Sequence, residues 1–466
     1  MYAYHKIVSK LSLAGMFSCA MVAFAAFDAQ VQGGPQKLAG NPLPVINDPN
    51  VEADGINIGD DPESEQISEA PEMSGVQAIE LSARRATLRD YLAERRGRLN
   101  IVATTVTESG QVIDWIPRDS QVANGRVASP PKLGRVLRSD KGDEAGAFEL
   151  ETQLHARGPE GTVPVLRRDV DEVLNNINPP ARLQDFLSKY GSADHRGGPE
   201  GVLEIPFEDP GAPAHKYAHT AQYMENFGGH GNINVWNPYV WKDGEFSLGQ
   251  LAVVRENGGG AKQTIECGWQ DYKNLYGDYS PHFFIYFTTN GYASQGDNVG
   301  GYNRDVDGWV QYSSTLFPGA KLNSVSVMNG SQYSYFFRVQ LYQGNWWIML
   351  GTTWVGYYPA SLFSTNGLRN KADKMSWYGE IVDLDDGTTT STDMGSGQFA
   401  NQGWQKAAYM RNIWIYKLSD GFRYQYNPGT SGQTPGCYTL ESHFLSGGSW
   451  ESYFYFGGPG KSSTCP

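Results

Sequence analysis

The chain reads as all-β in its larger part, an antiparallel β-sandwich, preceded by a small α+β module. Three observations carry that reading. Of the 59 Phe, Trp and Tyr residues, 10 precede residue 201 and 49 follow it, so the large core belongs to the second part. Beyond residue 213, short aromatic and β-branched runs are broken by turns every 8–15 residues, the texture of two packed antiparallel sheets. No stretch of that region sustains a 3.6-residue apolar period.

The chain has 466 residues, 19% of them charged and 40% hydrophobic, which excludes wholesale disorder, collagen and a long coiled coil. Its formal net charge of −13 argues against nucleic acid or anionic lipid as the main partner. At the N-terminus Lys6 and Lys10 precede an apolar run ending in Ala23-Phe24-Ala25, which predicts a cleaved signal peptide over residues 1–25. Export to a periplasm or to the cell exterior is therefore expected, with no membrane attachment after cleavage. Residues 38–83 hold ten acidic side chains, no Lys or Arg and no aromatic, so they cannot bury enough apolar surface to offset their ordering entropy. They place a disordered acidic spacer over residues 26–75.

From 76 to 200 the pattern changes. Ile79, Ala83, Ala86 and Tyr91 fall at helical intervals before the basic Arg95, Arg96 and Arg98, and strand-like pieces follow at 99–106 and 111–116. A second helical pattern runs through Val170, Val173, Leu174 and Ile177, stops at Pro179-Pro180 and resumes at Leu183. This module is either an accessory domain or a propeptide that folds against the rest and inhibits it. The sandwich, residues 201–466, is expected to place strands at 216–224, 233–239, 247–256, 263–270, 282–289, 324–327, 335–343, 346–353, 375–382, 408–416, 422–426 and 452–456.

Nucleophile and metal signatures such as Gly-x-Ser-x-Gly, His-Glu-x-x-His and Cys-x-x-Cys do not occur. His215, His219 and His230 form the only histidine cluster, and period 2 sets His215 and His219 on one strand face. No metal and no cofactor is expected, and Asp305-Val306-Asp307-Gly308 reads as a turn rather than a calcium loop. Once Cys19 leaves with the signal, Cys267, Cys437 and Cys465 remain, and Cys437 with Cys465 would staple the C-terminal segment. In Thr264-Ile265-Glu266-Cys267-Gly268-Trp269, alternation sets Ile265, Cys267 and Trp269 on the apolar side and Thr264, Glu266 and Gly268 on the other. In Trp377-Tyr378-Gly379-Glu380-Ile381, Tyr378 and Glu380 share a side in the same way. Two glutamates inside strongly apolar strands need a reason. Paired across a groove they would supply one carboxylate to activate water and one carboxylic acid to polarise a carbonyl. Tyr378, Thr264, His219 and Trp269 are the groove candidates beside them.

At these residues the sequence resembles the neprosin family of glutamic peptidases. The motifs occur in order: Thr264 to Trp269, Tyr276-Gly277-Asp278, Phe287 to Tyr292, Gly308-Trp309-Val310-Gln311, Val355 to Pro359, Trp377 to Ile381, Met394 to Gly397 and Tyr453 to Gly460. Gly161-Thr162-Val163-Pro164-Val165 resembles the end of the family's activation peptide. The resemblance implies Glu266 and Glu380 as the catalytic pair, a β-sandwich with an acidic groove and secretion as a zymogen. It also implies cleavage of peptide or protein substrates after proline in acid. A monomer restrained by its own propeptide is the expected form. Two other classes stay open on the residues alone, a glycoside hydrolase using the same carboxylates and a non-catalytic carbohydrate-binding sandwich.

Overall fold

A computed structural model describes residues 82, 86, 89–90, 92–132, 157–168 and, except for 294, 385–388, 420–421, 428–429 and 466, residues 214–466. The described residues belong to one compact unit, Pro71–Pro466. The signal peptide, the acidic spacer, the second helical pattern and the segment 195–213 lie outside the described residues.

The module is helical at the described residues 82, 86, 89–90 and 92–97 and forms a three-stranded antiparallel sheet, β1 (Ala103–Val106), β2 (Val112–Pro117) and β3 (Thr162–Leu166), in the order β1-β2-β3. Asp114 on β2, 1% exposed, receives Arg96, Arg167 and the Thr104 hydroxyl. These cations and the hydroxyl hold its carboxyl below the usual aspartate range against the cost of burial.

Two larger antiparallel sheets form the sandwich. The first contains β4 (Ala214–Asn226), β6 (Ser247–Arg255), β7 (Gln263–Asp271), β8 (Pro281–Thr288), β9 (Gly300–Tyr302), β14 (Ala372–Asp383) and β17 (Thr430–Gly432), ordered β17-β4-β14-β6-β7-β8-β9. The second contains β5 (Gly228–Asn234), β10 (Val310–Gln311), β11 (Ser334–Tyr342), β12 (Asn345–Leu350), β13 (Thr353–Pro359), β15 (Ala408–Tyr416), β18 (Thr439–His443) and β19 (Tyr453–Gly457). Its order is β10-β13-β12-β11-β5-β15-β19-β18, with β16 (Arg423–Gln425) paired to β15. Residues 324–327, expected as a strand, run outside the ladders and are tied instead through Ser326, whose hydroxyl accepts from Asn234 at 2.7 Å.

Period 2 sends Leu251, Val253, Ile265, Cys267, Trp377 and Ile381 of the first sheet into one core with Ile233, Phe337, Val339, Met410 and Phe456 of the second. Each such side chain contributes about 1.5–3 kcal/mol on burial. Trp269 belongs to this core as well: it is fully buried, and its indole N–H donates to the Asn234 carbonyl at 2.9 Å. The groove assignment for Trp269 is therefore wrong, because its parity is that of Ile265 and Cys267. Burial pushes the Cys267 thiol far up, which leaves it an inert apolar filler. Gly379 has a packing role, since a Cβ there would lie 2.4 Å from the Phe456 ring. Cys437 and Cys465 form the expected disulfide.

The module packs on the sandwich through side chains of both kinds. Ile113 and Trp115 meet Phe317 and Ala320, and Val122, Val127 and Ala128 cover Trp347, Trp354 and Tyr357. The Gln121 side-chain amide donates to the Gln311 carbonyl at 2.8 Å and accepts from its N–H at 2.9 Å, so it pairs with edge strand β10 as another strand would. Arg95 and Arg98 pair with Asp297 and Asp307.

Candidate active site

Glu266 on β7 and Glu380 on β14 project from the same face of the first sheet, the face turned away from the core. The register sets them on a diagonal. Glu266 is level with Ala252 on β6 and Glu380 with Leu248, while the row Tyr378, Gln250, Gly268 runs between them. Each glutamate is 7% exposed, desolvated yet reachable from the groove. Gly268 keeps the floor low, since a Cβ there would lie 2.0 Å from the Gly249 carbonyl oxygen.

The two carboxyls have unlike surroundings. Oε1 of Glu266 accepts from the Thr264 hydroxyl at 2.7 Å and the Tyr292 hydroxyl at 2.6 Å, and Oε2 accepts from the Gln250 amide at 3.0 Å. All three donors are neutral. Burial, helped by the charge of Glu380, outweighs them and raises the Glu266 pKa. Glu380 Oε1 lies 2.5 Å from Nδ1 of His215, two strand positions from Tyr217, which is paired with Glu380 in the register. The Tyr217 hydroxyl is driven well above its usual pKa by burial and by the two glutamates.

Of the groove candidates, Thr264 touches Glu266, and Tyr378 stands in the row between the carboxyls. His219 is opposite Tyr378 on β4, its Nδ1 buried without a hydrogen-bond partner among the described residues and its pKa lowered to about 4 by burial and by Lys374. His230 sits on the second sheet against the Tyr416 hydroxyl, away from His215 and His219. Among the described residues no group of His, Cys, Asp or Glu is arranged to hold a metal ion. Asp305 and Asp307 face Arg168, Arg95 and Arg98.

Three neighbours of the pair escaped the sequence reading. Gln250 is a polar residue at a groove-side position of the otherwise apolar run Leu248–Val254, a legible signal, and its Oε1 is buried without a partner among the described residues. His215 reads in the sequence only as a member of the histidine cluster, on one strand face with His219. Tyr292 closes the Phe287–Tyr292 motif, but nothing in its local pattern ties it to Glu266. It follows β8 in a turn, adopts a left-handed φ of 66° and is 46% exposed. That conformation costs about 1–2 kcal/mol for an L-residue and is what folds its hydroxyl back onto Glu266.

Among solved structures, SCP-B of the Eqolisin family of peptidases, complexed with the tripeptide Ala-Ile-His, is similar at 7% identity and a TM-score of 0.28. The match covers 53% of this chain and 100% of that one. Scytalido-glutamic peptidase with a transition state analog inhibitor matches at 8% identity, the same coverage and the same TM-score. CG-16, a homodimeric agglutinin from chicken liver, matches at 5% identity over 35% of this chain and 93% of its own, with a TM-score of 0.19. Likenesses this remote carry no functional argument. The family match is direct, covering residues 243–459 and therefore both glutamate strands, β7 and β14. The chain thus carries a Neprosin domain at residues 243–459.

Proposed function

We propose that the protein is a secreted glutamic endopeptidase, made as a zymogen, that hydrolyses peptide bonds in acid with a preference for the carboxyl side of proline. The observation that carries the reading is the pair of nearly buried glutamates on one sheet face, separated by a row with a glycine floor. The Neprosin family match over residues 243–459 supports a peptidase-like activity. An extended substrate laid over Tyr378, Gln250 and Gly268 would bring its scissile carbonyl between the carboxyls. One glutamate, ionised, takes a proton from the attacking water; the other, protonated, donates to the carbonyl oxygen. A half-ionised pair is an acid-side species, which supports operation in acid.

The test uses Glu266→Gln and Glu380→Gln in the full chain, each shown to be folded, with a proline-containing protein substrate at about pH 3–5. Each substitution should abolish cleavage, and mass spectrometry of the products of the unsubstituted protein should show new C-termini at proline. Full activity in either variant refutes the reading. Shortening of the chain on acidification, to a start within residues 190–215, tests the zymogen. An uncut chain that is already active would remove that part alone.

A further inference from the structure

The pair's surroundings differ in one respect that bears on which glutamate does what. We infer that His215 is a positioning residue whose protonated ring holds Glu380 as the ionised, water-activating carboxylate, leaving Glu266 as the carboxylic acid. The inference rests on the glutamic peptidase reading and deepens it.

The groups facing each carboxyl make the contrast. Around Glu380 stand His215 and Tyr217 from β4, Tyr378 of its own strand, Glu266 from β7 and Tyr302 from β9. His215 is the one member of that set that becomes a cation in acid. Its contact is 2.5 Å from ring nitrogen to carboxylate oxygen, close enough for a charge-assisted hydrogen bond. The ring is held between Tyr217, 6.2 Å away and stacked, and the edge of Phe246 at 5.9 Å. Around Glu266 stand Thr264, Tyr292, Gln250, Tyr286, Tyr378 and Glu380, with no cation-forming side chain in the set. Oε1 of Glu266 already takes two hydroxyl donors while Oε2 takes one, so Oε2 is the atom with room for the proton.

The reaction then balances as follows. Water adds its oxygen to the carbonyl carbon and gives a proton to Glu380, while the Glu266 proton passes to the carbonyl oxygen, yielding a gem-diol. Glu380 next returns its proton to the amide nitrogen as the C–N bond breaks. One gem-diol hydroxyl returns its proton to Glu266. Both carboxyls end as they began, with water consumed and one peptide bond cleaved.

The experiment is the pH profile of kcat/KM for the full chain carrying His215→Gln or His215→Lys, on a fluorogenic proline-containing peptide. Gln keeps a hydrogen-bond donor and loses the charge; Lys keeps the charge. An opposite charge at this range is worth one to three units to a carboxylate. With Gln the acid limb should move up by about one unit or more, a tenfold or greater loss of kcat/KM below that limb, and with Lys it should stay. An unmoved acid limb in His215→Gln, or a shift equally large in His215→Lys, overturns the inference. If the Gln variant does not fold, His215→Asn supplies the same neutral arm. Activity surviving in Glu266→Gln or Glu380→Gln would sink the peptidase reading itself. An inactive pair with an unmoved His215→Gln limb sinks only this assignment.

Discussion

Tyr292→Phe removes one hydroxyl and little else, and it reports on Glu266 directly. The hydroxyl donates to Oε1 at 2.6 Å. A hydrogen bond to a charged acceptor contributes about 1.5–3 kcal/mol, and 1.36 kcal/mol corresponds to one pKa unit, so the full loss would be worth roughly one to two units. Because Tyr292 is 46% exposed, water can take part of the vacated place, which favours the lower figure. The sign is fixed: a donor lost from the carboxylate weakens the charged form, so Glu266 keeps its proton to higher pH. If Glu266 is the acid, the basic limb of the kcat/KM profile moves up by about one unit, and the acid limb stays. Steady-state kinetics from pH 2 to 8 on the full chain measures both limbs. A shift confined to the acid limb would make Glu266 the base and refute the reasoning, as would an unmoved profile.

Three further outcomes concern stability. Asp271, fully buried with neither carboxylate oxygen hydrogen-bonded among the described residues, has its pKa pushed up to about 8 by burial and by Asp278. A carboxyl with a raised folded pKa favours the fold below its unfolded value near 3.9 and costs stability as pH climbs toward 8. Denaturant titrations should therefore show a loss of up to about 4 kcal/mol between pH 4 and 7 from this group, a loss that Asp271→Asn should largely remove. Gly379→Ala drives a Cβ into Phe456 and should cost about 1–3 kcal/mol, seen in calorimetry as a fall of roughly 2–10 °C in Tm. Replacing Cys437 and Cys465 by Ser opens a sequence separation of 28 residues and should cost about 3–4 kcal/mol of unfolding free energy in urea titrations.

Strand alternation made both glutamates legible, because a carboxylate among apolar residues on one side of a strand is a local anomaly. The same alternation condemned Trp269, whose parity follows Cys267 and Ile265, so its place in the core was readable from the pattern that revealed Glu266. Strand ends were legible to within a few residues at several strands, as at β15, whereas the strand expected at 233–239 is β5, Gly228–Asn234, displaced by five residues. The short strands β9, β10, β17 and β18 were missed, and so was β13, which begins at Thr353, directly after the tight turn around Gly351-Thr352, and reads as a continuation of β12 when pairing is unknown. Segment 324–327 looks like a strand because Ser324-Val325-Ser326-Val327 alternates polar and β-branched residues, yet it is held by single anchors, not by a ladder. Tyr292 and His215 were beyond reach for a physical reason: their roles arise from a left-handed turn and from the pairing of β4 with β14, and neither contact is local in sequence.

The Gln121 amide that pairs with β10 has a consequence for solubility. β10 ends the second sheet, and an edge of unsatisfied backbone groups is a template for pairing with another chain. Beside it, Trp347, Trp354 and Tyr357 lie 0–5% exposed partly beneath module side chains. A sandwich stripped of the module would present an open strand next to an aromatic strip, a surface prone to self-association. The N-terminal module thus covers that edge and the aromatic strip beside it, on the side of the sandwich away from the glutamate strands.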